Sequence, residues 1–305
     1  MKFSWTVTLT LFITLCFTKR SFFDAKCSTS KKFSFTRRDN NETDSLPLIY
    51  IATPTYARAT QKADLTRLSY TLLHVPRVHW LLIEDAHETT KLVKNFVNNL
   101  QEIAIERGTD LQVTHLHIAT PEKYKLKTSD PSWLKPRGVM QRNEALRWLR
   151  DNEDDLSTNG VLYFADDDNT YDLRIFEEMR DTQKVSVWPV GLVGGLQVER
   201  PLVSNGRVTG WNTIWRPERA FPIDMAGFAV NIKLILDRRK ANFIATVPRG
   251  YQESYFLKQL IHGVHELEPK ADDCSKVFVW HTRTEHPKLR HEINLKVPSN
   301  DGIEV

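Results

Sequence analysis

The chain has 305 residues, 41% apolar and 26% charged, the balance of a globular protein with room for one large domain or two fused lobes. Lys and Arg (42) barely exceed Asp and Glu (38), and no dense basic tract is interleaved with aromatics, which argues against nucleic acid as a partner. Three cysteines, Cys16, Cys27 and Cys274, make neither a disulfide framework nor a zinc spacing.

The first 45 residues stand apart. After Met1 and Lys2 comes FSWTVTLTLFITLCFT (3–18), sixteen uncharged residues that would rise ~24 Å as a helix, followed by Lys19 and Arg20. Small residues of the A-x-A kind are missing before that flank, so the segment reads as an uncleaved signal anchor rather than a signal peptide. Lys19, Arg20 and Lys26 outweigh Lys2 and the amine, which leaves orientation open on charge alone. Residues 19–45 have the polar composition of a poorly ordered stem. Cys27 in that stem could join two copies, and Asn41-Glu42-Thr43 is a glycosylation acceptor sequence.

Regular structure is expected from residue 46. LPLIYIATP (46–54) predicts a buried strand, with Pro47 at its beginning where a missing N–H is tolerated. Leu65, Leu68 and Leu72 mark one face of a helix. VHWLLIEDA (78–86) predicts a second strand, and Leu92, Val93, Phe96, Val97, Leu100 and Ile103 a second helix stopped at Gly108. LQVTHLHIA (111–119) is a third strand, 139–150 a helix, and VLYFA (161–165) a fourth strand. Such alternation predicts a mostly parallel sheet covered on both faces, with ligands beyond the carboxyl ends of its strands. Three of those ends carry TPTY (53–56), EDA (84–86) and ADDDN (165–169), so all three should meet at one rim.

Beyond Thr170 the pattern changes. VSVWPVGLVGGLQVE (185–199) and the SNGRV turn (204–208) predict strands and a hairpin. A helix from about Met225, another over GYQESYFLKQLI (250–261) and a strand over VFVWH (277–281) follow. The expected fold is α/β: a nucleotide-binding half, 46–170, fused to an α+β half, 171–305.

Three adjacent carboxylates at a strand end suit a hard divalent cation, which takes one or two of them and completes its shell with phosphate and water. Strand alternation would turn Asp166 and Asp168 one way and Asp167 the other. A solvated acidic turn is the competing interpretation. Arg137 and Arg142 in PRGVMQRN, at the start of a helix, and His281 and Arg283 in WHTRTEHP offer cations for a diphosphate. Neither G-x-x-x-x-G-K-[ST] nor G-x-G-x-x-G occurs, which removes the P-loop and dinucleotide readings. Glu253, in the first turn of its helix, suits either a dipole-favoured surface acid or a general base, and spacing does not choose.

Seven collinear stretches resemble the animal β-1,3-glucuronosyltransferases, glycosyltransferase family 43: 54–86, RGVMQRNEALRWLR, VLYFADDDNTY, VSVWPVGLVGGL, FPIDMAGFAVN, GYQES and VFVWHTRTEHP. The resemblance spans 46–305. It implies a GT-A type fold, with a Rossmann-like UDP-binding half and an acceptor-binding half, acting as a homodimer. It also implies a type II Golgi membrane protein with a lumenal catalytic domain, using Mn²⁺ (or Mg²⁺) and UDP-glucuronate. The acceptor it implies is a terminal galactose of the Gal-Gal-Xyl stub on proteoglycan serines, with N-acetyllactosamine ends or a non-catalytic sugar-binding module as rivals.

By the same resemblance, Tyr56 stacks on uracil, Asp85 hydrogen-bonds it, Asp166 binds ribose, and Asp168 holds the metal beside Asp167. Arg142, Asp224 and His281 hold the sugar nucleotide, with Arg137 and Arg283 nearby. Glu253 is the base, while Glu199, Trp215, Arg219 and Asp224 grip the acceptor. ADDCSK (271–276) departs from the family by lacking an Asn before its cysteine, and QVER and RPERAF vary around the acceptor contacts.

Overall fold

The computed structural model describes residues 45–126, 129–131 and 134–305. The signal-anchor segment 3–18, Cys16, Cys27, Asn41 and all but the last residue of the stem lie outside them. No helix among the described residues is long and apolar enough to cross a membrane.

Four strands form the parallel centre of a seven-stranded sheet. They are β1 (Ile49–Thr55), β2 (Val78–Glu84), β3 (Leu111–His117) and β4 (Val161–Phe164), side by side in the order β4-β1-β2-β3. Period-two alternation sends Ile49, Ile51, Trp80 and Leu82 into one core and Tyr50, Ala52, Leu81 and Ile83 into the other. Both faces are therefore apolar, as the uninterrupted aliphatic runs require. Helices α1 (Gln61–Leu72) and α2 (Lys91–Arg107) pack on the first face; α3 (Val139–Asp151) covers the second. In α2, Thr90 caps the N-terminus and Gly108, at φ 60°, closes the C-terminus. Its stripe of Val93, Phe96, Val97 and Leu100 is buried, each side chain contributing roughly 1.5–3 kcal/mol.

The remaining strands and helices begin at residue 170. They are β5 (Thr170–Tyr171), α4 (Leu173–Met179), β6 (Val185–Val187), β7 (Val190–Gly191), β8 (Val198–Ser204), β9 (Arg207–Asn212), β10 (Phe228–Asn231), α5 (Ile232–Asp237), α6 (Gln252–Lys258), β11 (Leu267–Pro269) and β12 (Val279–Trp280). Strand β10 runs antiparallel to β4 and to β6, so residues 185–187, 228–231 and 267–269 extend the same large sheet that 46–164 begins. A second sheet, β5-β12-β7-β8-β9, lies across residue 170 and includes the anticipated hairpin, β8-β9.

Three local expectations change. No helix starts at Met225; Met225–Gly227 is a single 3-10 turn capped by Asp224, and the apolar FAVN after it becomes β10, filling the gap between β4 and β6. The long helix over 250–261 contracts to α6 because Gly250, at φ 83°, is left-handed and the chain turns after Lys258. The strand over 277–281 narrows to two residues. Residues Ala271–Cys274 form a left-handed turn with φ of 51–59°, a conformation that no sequence pattern announces in non-glycine residues.

Candidate nucleotide-sugar site

Register brings the three acidic strand ends together. Thr55 lies opposite Glu84, Asp85 N donates to Thr55 O at 2.8 Å, and Ala165 N donates to Ala52 O at 3.1 Å. A cavity of about 620 Å³ opens at this rim. Tyr56 lines it, as do the acids Asp85, Asp166, Asp167 and Asp168 and the cations Arg137, Arg142, His281 and Arg283. The donor-side residues singled out from sequence are thus brought to one place, except Asp224, which does not line the cavity and meets it only through His281.

The three aspartates are not equivalent. Asp167 is buried, and its Oδ2 accepts Thr55 Oγ1 at 2.8 Å and faces Arg58 Nη2 at 2.7 Å. Burial pushes its carboxyl up to about 6 against the pull of Arg58. Asp166 Oδ1 accepts Arg142 Nη2 at 2.6 Å and remains partly open to the cavity. Asp168 is raised by burial and by Asp166 beside it, while its backbone carbonyl accepts Thr282 Oγ1 at 2.7 Å.

Among the described residues no group of three or more His, Cys, Asp or Glu is arranged to cage a metal. The donor set nevertheless fits a hard divalent cation of the kind that takes one or two carboxylates and fills its shell from phosphate and water. At Asp168 such a cation would relieve the repulsion from Asp166 that raises its carboxyl.

The cations are held in place. Arg142 is buried and donates through Nη1 to Arg137 O at 3.0 Å. Gly138, at φ 72°, begins this turn, and a Cβ there would lie 2.6 Å from Arg142 Nη1. His281 N donates to Gly191 O at 2.9 Å, and Arg283 Nη2 lies 3.5 Å from His281 Nε2. Asp85 accepts both N and Oγ1 of Thr120 at 2.7 Å, which leaves each carboxylate oxygen a further lone pair toward the cavity. Tyr56 is 42% exposed, as a flat ring offered to a ligand must be.

The acceptor-side residues do not line this cavity; they gather on neighbouring elements. Arg219 Nη1 donates to Gly250 O at 2.8 Å and Phe221 N to Ser254 Oγ at 3.1 Å, tying the 215–221 loop to the start of α6. Arg219 also donates to the carbonyls of Trp215 and Arg216, so its guanidinium braces backbone. Trp215 is 37% exposed, with Arg249 4.8 Å from its ring centroid. Glu199 is buried, accepts Thr213 Oγ1, and has its carboxyl raised by burial. Glu253 is half-buried in the first turn of α6, and burial with the nearby Asp224 charge pushes it up to about 7. Asp224 faces His281 at 3.2 Å and so joins the two groups of residues.

Four participants escaped the sequence reading: Thr55, Arg58, Asp64 and Thr120. Asp64 did leave a signal, since it falls with Gln61, Leu65, Leu68 and Leu72 on the buried face of α1. A carboxylate on an apolar stripe needs partners.

The family model described as glycosyltransferase family 43 matches residues 68–285. A human galactosylgalactosylxylosylprotein 3-beta-glucuronosyltransferase 3 is 51% identical over 264 residues, 84% of this chain and 76% of that one. The rat enzyme named 3-beta-glucuronosyltransferase 1 of the same series is 54% identical over 252 residues, 82% of this chain and 72% of the relative. The Caenorhabditis elegans relative named 3-beta-glucuronosyltransferase sqv-8 is 51% identical, covering 85% and 70%. With this similarity running through the site and both sheets, the chain belongs to glycosyltransferase family 43, and its α/β architecture is that of a GT-A type glycosyltransferase.

Proposed function

We propose that this protein is an inverting β-1,3-glucuronosyltransferase. It moves glucuronic acid from UDP-glucuronate to the 3-hydroxyl of the terminal galactose in the Gal-Gal-Xyl linkage of proteoglycans, the acceptor that its relatives' names describe. The observation that carries the reading is the pairing of a cavity lined by acids and cations with Glu253, a carboxyl of raised pKa that feels the charge of the cavity's own Arg142.

Arg142, His281 and Arg283 bind and orient the diphosphate, while Tyr56 and Asp85 take the base and Asp166 the ribose. Trp215 offers a flat face to the C–H surface of a sugar, and Glu199 and Asp224 supply acceptors for its hydroxyls. Glu253 removes the proton from the attacking galactose oxygen; at about 7 its pKa is poised for that task near neutral pH. Attack from the face opposite UDP inverts the anomeric centre, so one base suffices and no second carboxylate nucleophile is required. Asp168 would hold Mn²⁺, or Mg²⁺ in its place, which when bound would supply positive charge to offset the charge gathering on the departing diphosphate.

The proposal extends to a lumenal domain anchored in the Golgi membrane by residues 3–18 and to a homodimer that Cys27 could link, both resting on sequence. The test is transfer from radiolabelled UDP-glucuronate to Galβ1-3Gal and to Galβ1-4GlcNAc acceptors. Preference for the first is expected. Preference for the second would move the activity to N-acetyllactosamine ends, and binding without transfer would make the protein a sugar-binding module.

A further inference from the structure

Asp64 is a buried carboxylate that ties distant stretches of chain together at the nucleotide rim. Its side chain is 1% exposed, and both oxygens are saturated. Oδ2 accepts Arg58 Nη2 at 2.8 Å and Thr60 Oγ1 at 2.9 Å. Oδ1 accepts Thr284 Oγ1 at 2.5 Å and Arg67 Nη2 at 3.0 Å. Thr284 lies in the loop that carries His281 and Arg283, and Thr282 in that loop donates to Asp168 O.

Arg58 continues the connection. The Nη2 that meets Asp64 also lies 2.7 Å from Asp167 Oδ2. Nη1 donates to Tyr56 O at 3.2 Å, and the guanidinium lies 4.7 Å from the Tyr56 ring centroid. The ring that would receive a base on one side is thus backed by a cation.

We propose that Arg58 and Asp64 are a positioning pair for the nucleotide site: Asp64 fixes Arg58 and the 281–284 loop, and Arg58 backs Tyr56 and restrains Asp167. The inference rests on the functional reading above. Tyr56, the aspartates and the cationic loop then meet UDP as one preset surface, with less ordering left to binding. A role in stability alone would be an odd use of these groups. Buried ion pairs are seldom better than apolar packing at holding a fold, whereas Arg58 reaches two site residues, Tyr56 and Asp167, at once.

The test uses the full chain and measures UDP and uridine binding by calorimetry with manganese present, thermal midpoints, and KM for donor and acceptor separately. Thr284→Val unhooks the cationic loop while leaving Asp64 its Arg and Thr60 partners, so it should fold and should weaken UDP but not uridine. Arg58→Lys keeps the charge but loses the planar fork, and should weaken both. Donor affinity is expected to fall ~10–100-fold in Arg58→Lys, as when partners of ligand-binding groups are removed. Acceptor KM should stay at the wild-type value.

UDP affinity at the wild-type level in both variants would overturn the proposal, whatever their thermal midpoints. So would an equal rise in acceptor KM, which marks general loosening. Wild-type protein that binds no UDP at all would instead refute the functional reading on which the pair depends.

Discussion

Nδ1 of His281 lies 3.2 Å from Oδ2 of Asp224, joining the loop beyond β12 to the turn that precedes β10. Asp224 accepts Ala226 N at 3.0 Å through its other oxygen, so the carboxylate is fixed from two sides. The contact has an electrostatic consequence. The Asp224 carboxylate holds the imidazole above its usual pKa of 6.5, and His281 in turn holds the partly buried Asp224 below the usual carboxylate range.

An imidazolium at the rim favours a diphosphate, so UDP affinity should be full below the raised His281 pKa and decline as pH rises through it. Asp224→Asn removes the charge that raises His281, and the decline should then occur at lower pH. Calorimetric titration of UDP between about pH 6 and 9 reads this directly. An unmoved profile in the variant would mean that His281 does not govern diphosphate binding.

Glu253 leads to a separate pH effect with the opposite sign. A base works only when ionised, so turnover should fall as pH drops through about 7. Glu253→Gln should lower turnover by more than ~100-fold while leaving UDP affinity close to wild type. Steady-state rates and UDP binding measured on the same preparation separate the two effects. Near-normal turnover in Glu253→Gln would give the proton transfer to another group.

The parts of the site that sequence made legible share a cause. Asp85 and Asp166–168 follow long apolar strands, and a parallel sheet delivers such ends to one rim whatever the loops do. Much of what stayed hidden depends on contacts across more than a hundred residues, although Thr120 meets Asp85 across only 35. Arg58 and Asp167 are 109 positions apart, and Thr284 and Asp64 are 220, so no local spacing could pair them. The same holds for FAVN (228–231): its helix or strand character is settled by a vacancy between β4 and β6, not by its own four residues. Arg219 is a middle case. Its proximity to the acceptor side was visible, but its bracing of three backbone carbonyls depends on the loop geometry.

Asp167 ties stability to pH. Its carboxyl is raised from 3.8 to about 6, so the folded protein binds a proton more readily than the unfolded chain between those values. The stabilisation is therefore complete below about 4 and is lost as pH rises through about 6. At roughly 1.4 kcal/mol per unit, the effect is on the order of 3 kcal/mol. Asp167→Asn, which mimics the neutral form, should flatten the dependence across this window in urea melts of the ligand-free protein. A variant whose stability curve parallels wild type would show that Arg58 and Thr55 fully compensate the buried charge.

Gly250 separates backbone strain from its effect on the acceptor side. Its φ of 83° is a left-handed conformation that disfavours any side chain, and an added Cβ would lie 2.7 Å from Nε1 of Trp215. Gly206, in the β8–β9 turn, has a similar φ of 70° but nothing within 4 Å of the added carbon. Alanine at either position should destabilise by about 1–3 kcal/mol, the usual cost of such a conformation. Only Gly250→Ala should also push Trp215 from its seat and loosen the carbonyl that accepts Arg219. Acceptor KM should therefore rise several-fold in Gly250→Ala and stay at wild type in Gly206→Ala, with UDP affinity unchanged in both. Equal acceptor KM in the two variants, at matched losses of stability, would mean that the Trp215 ring does not hold the sugar.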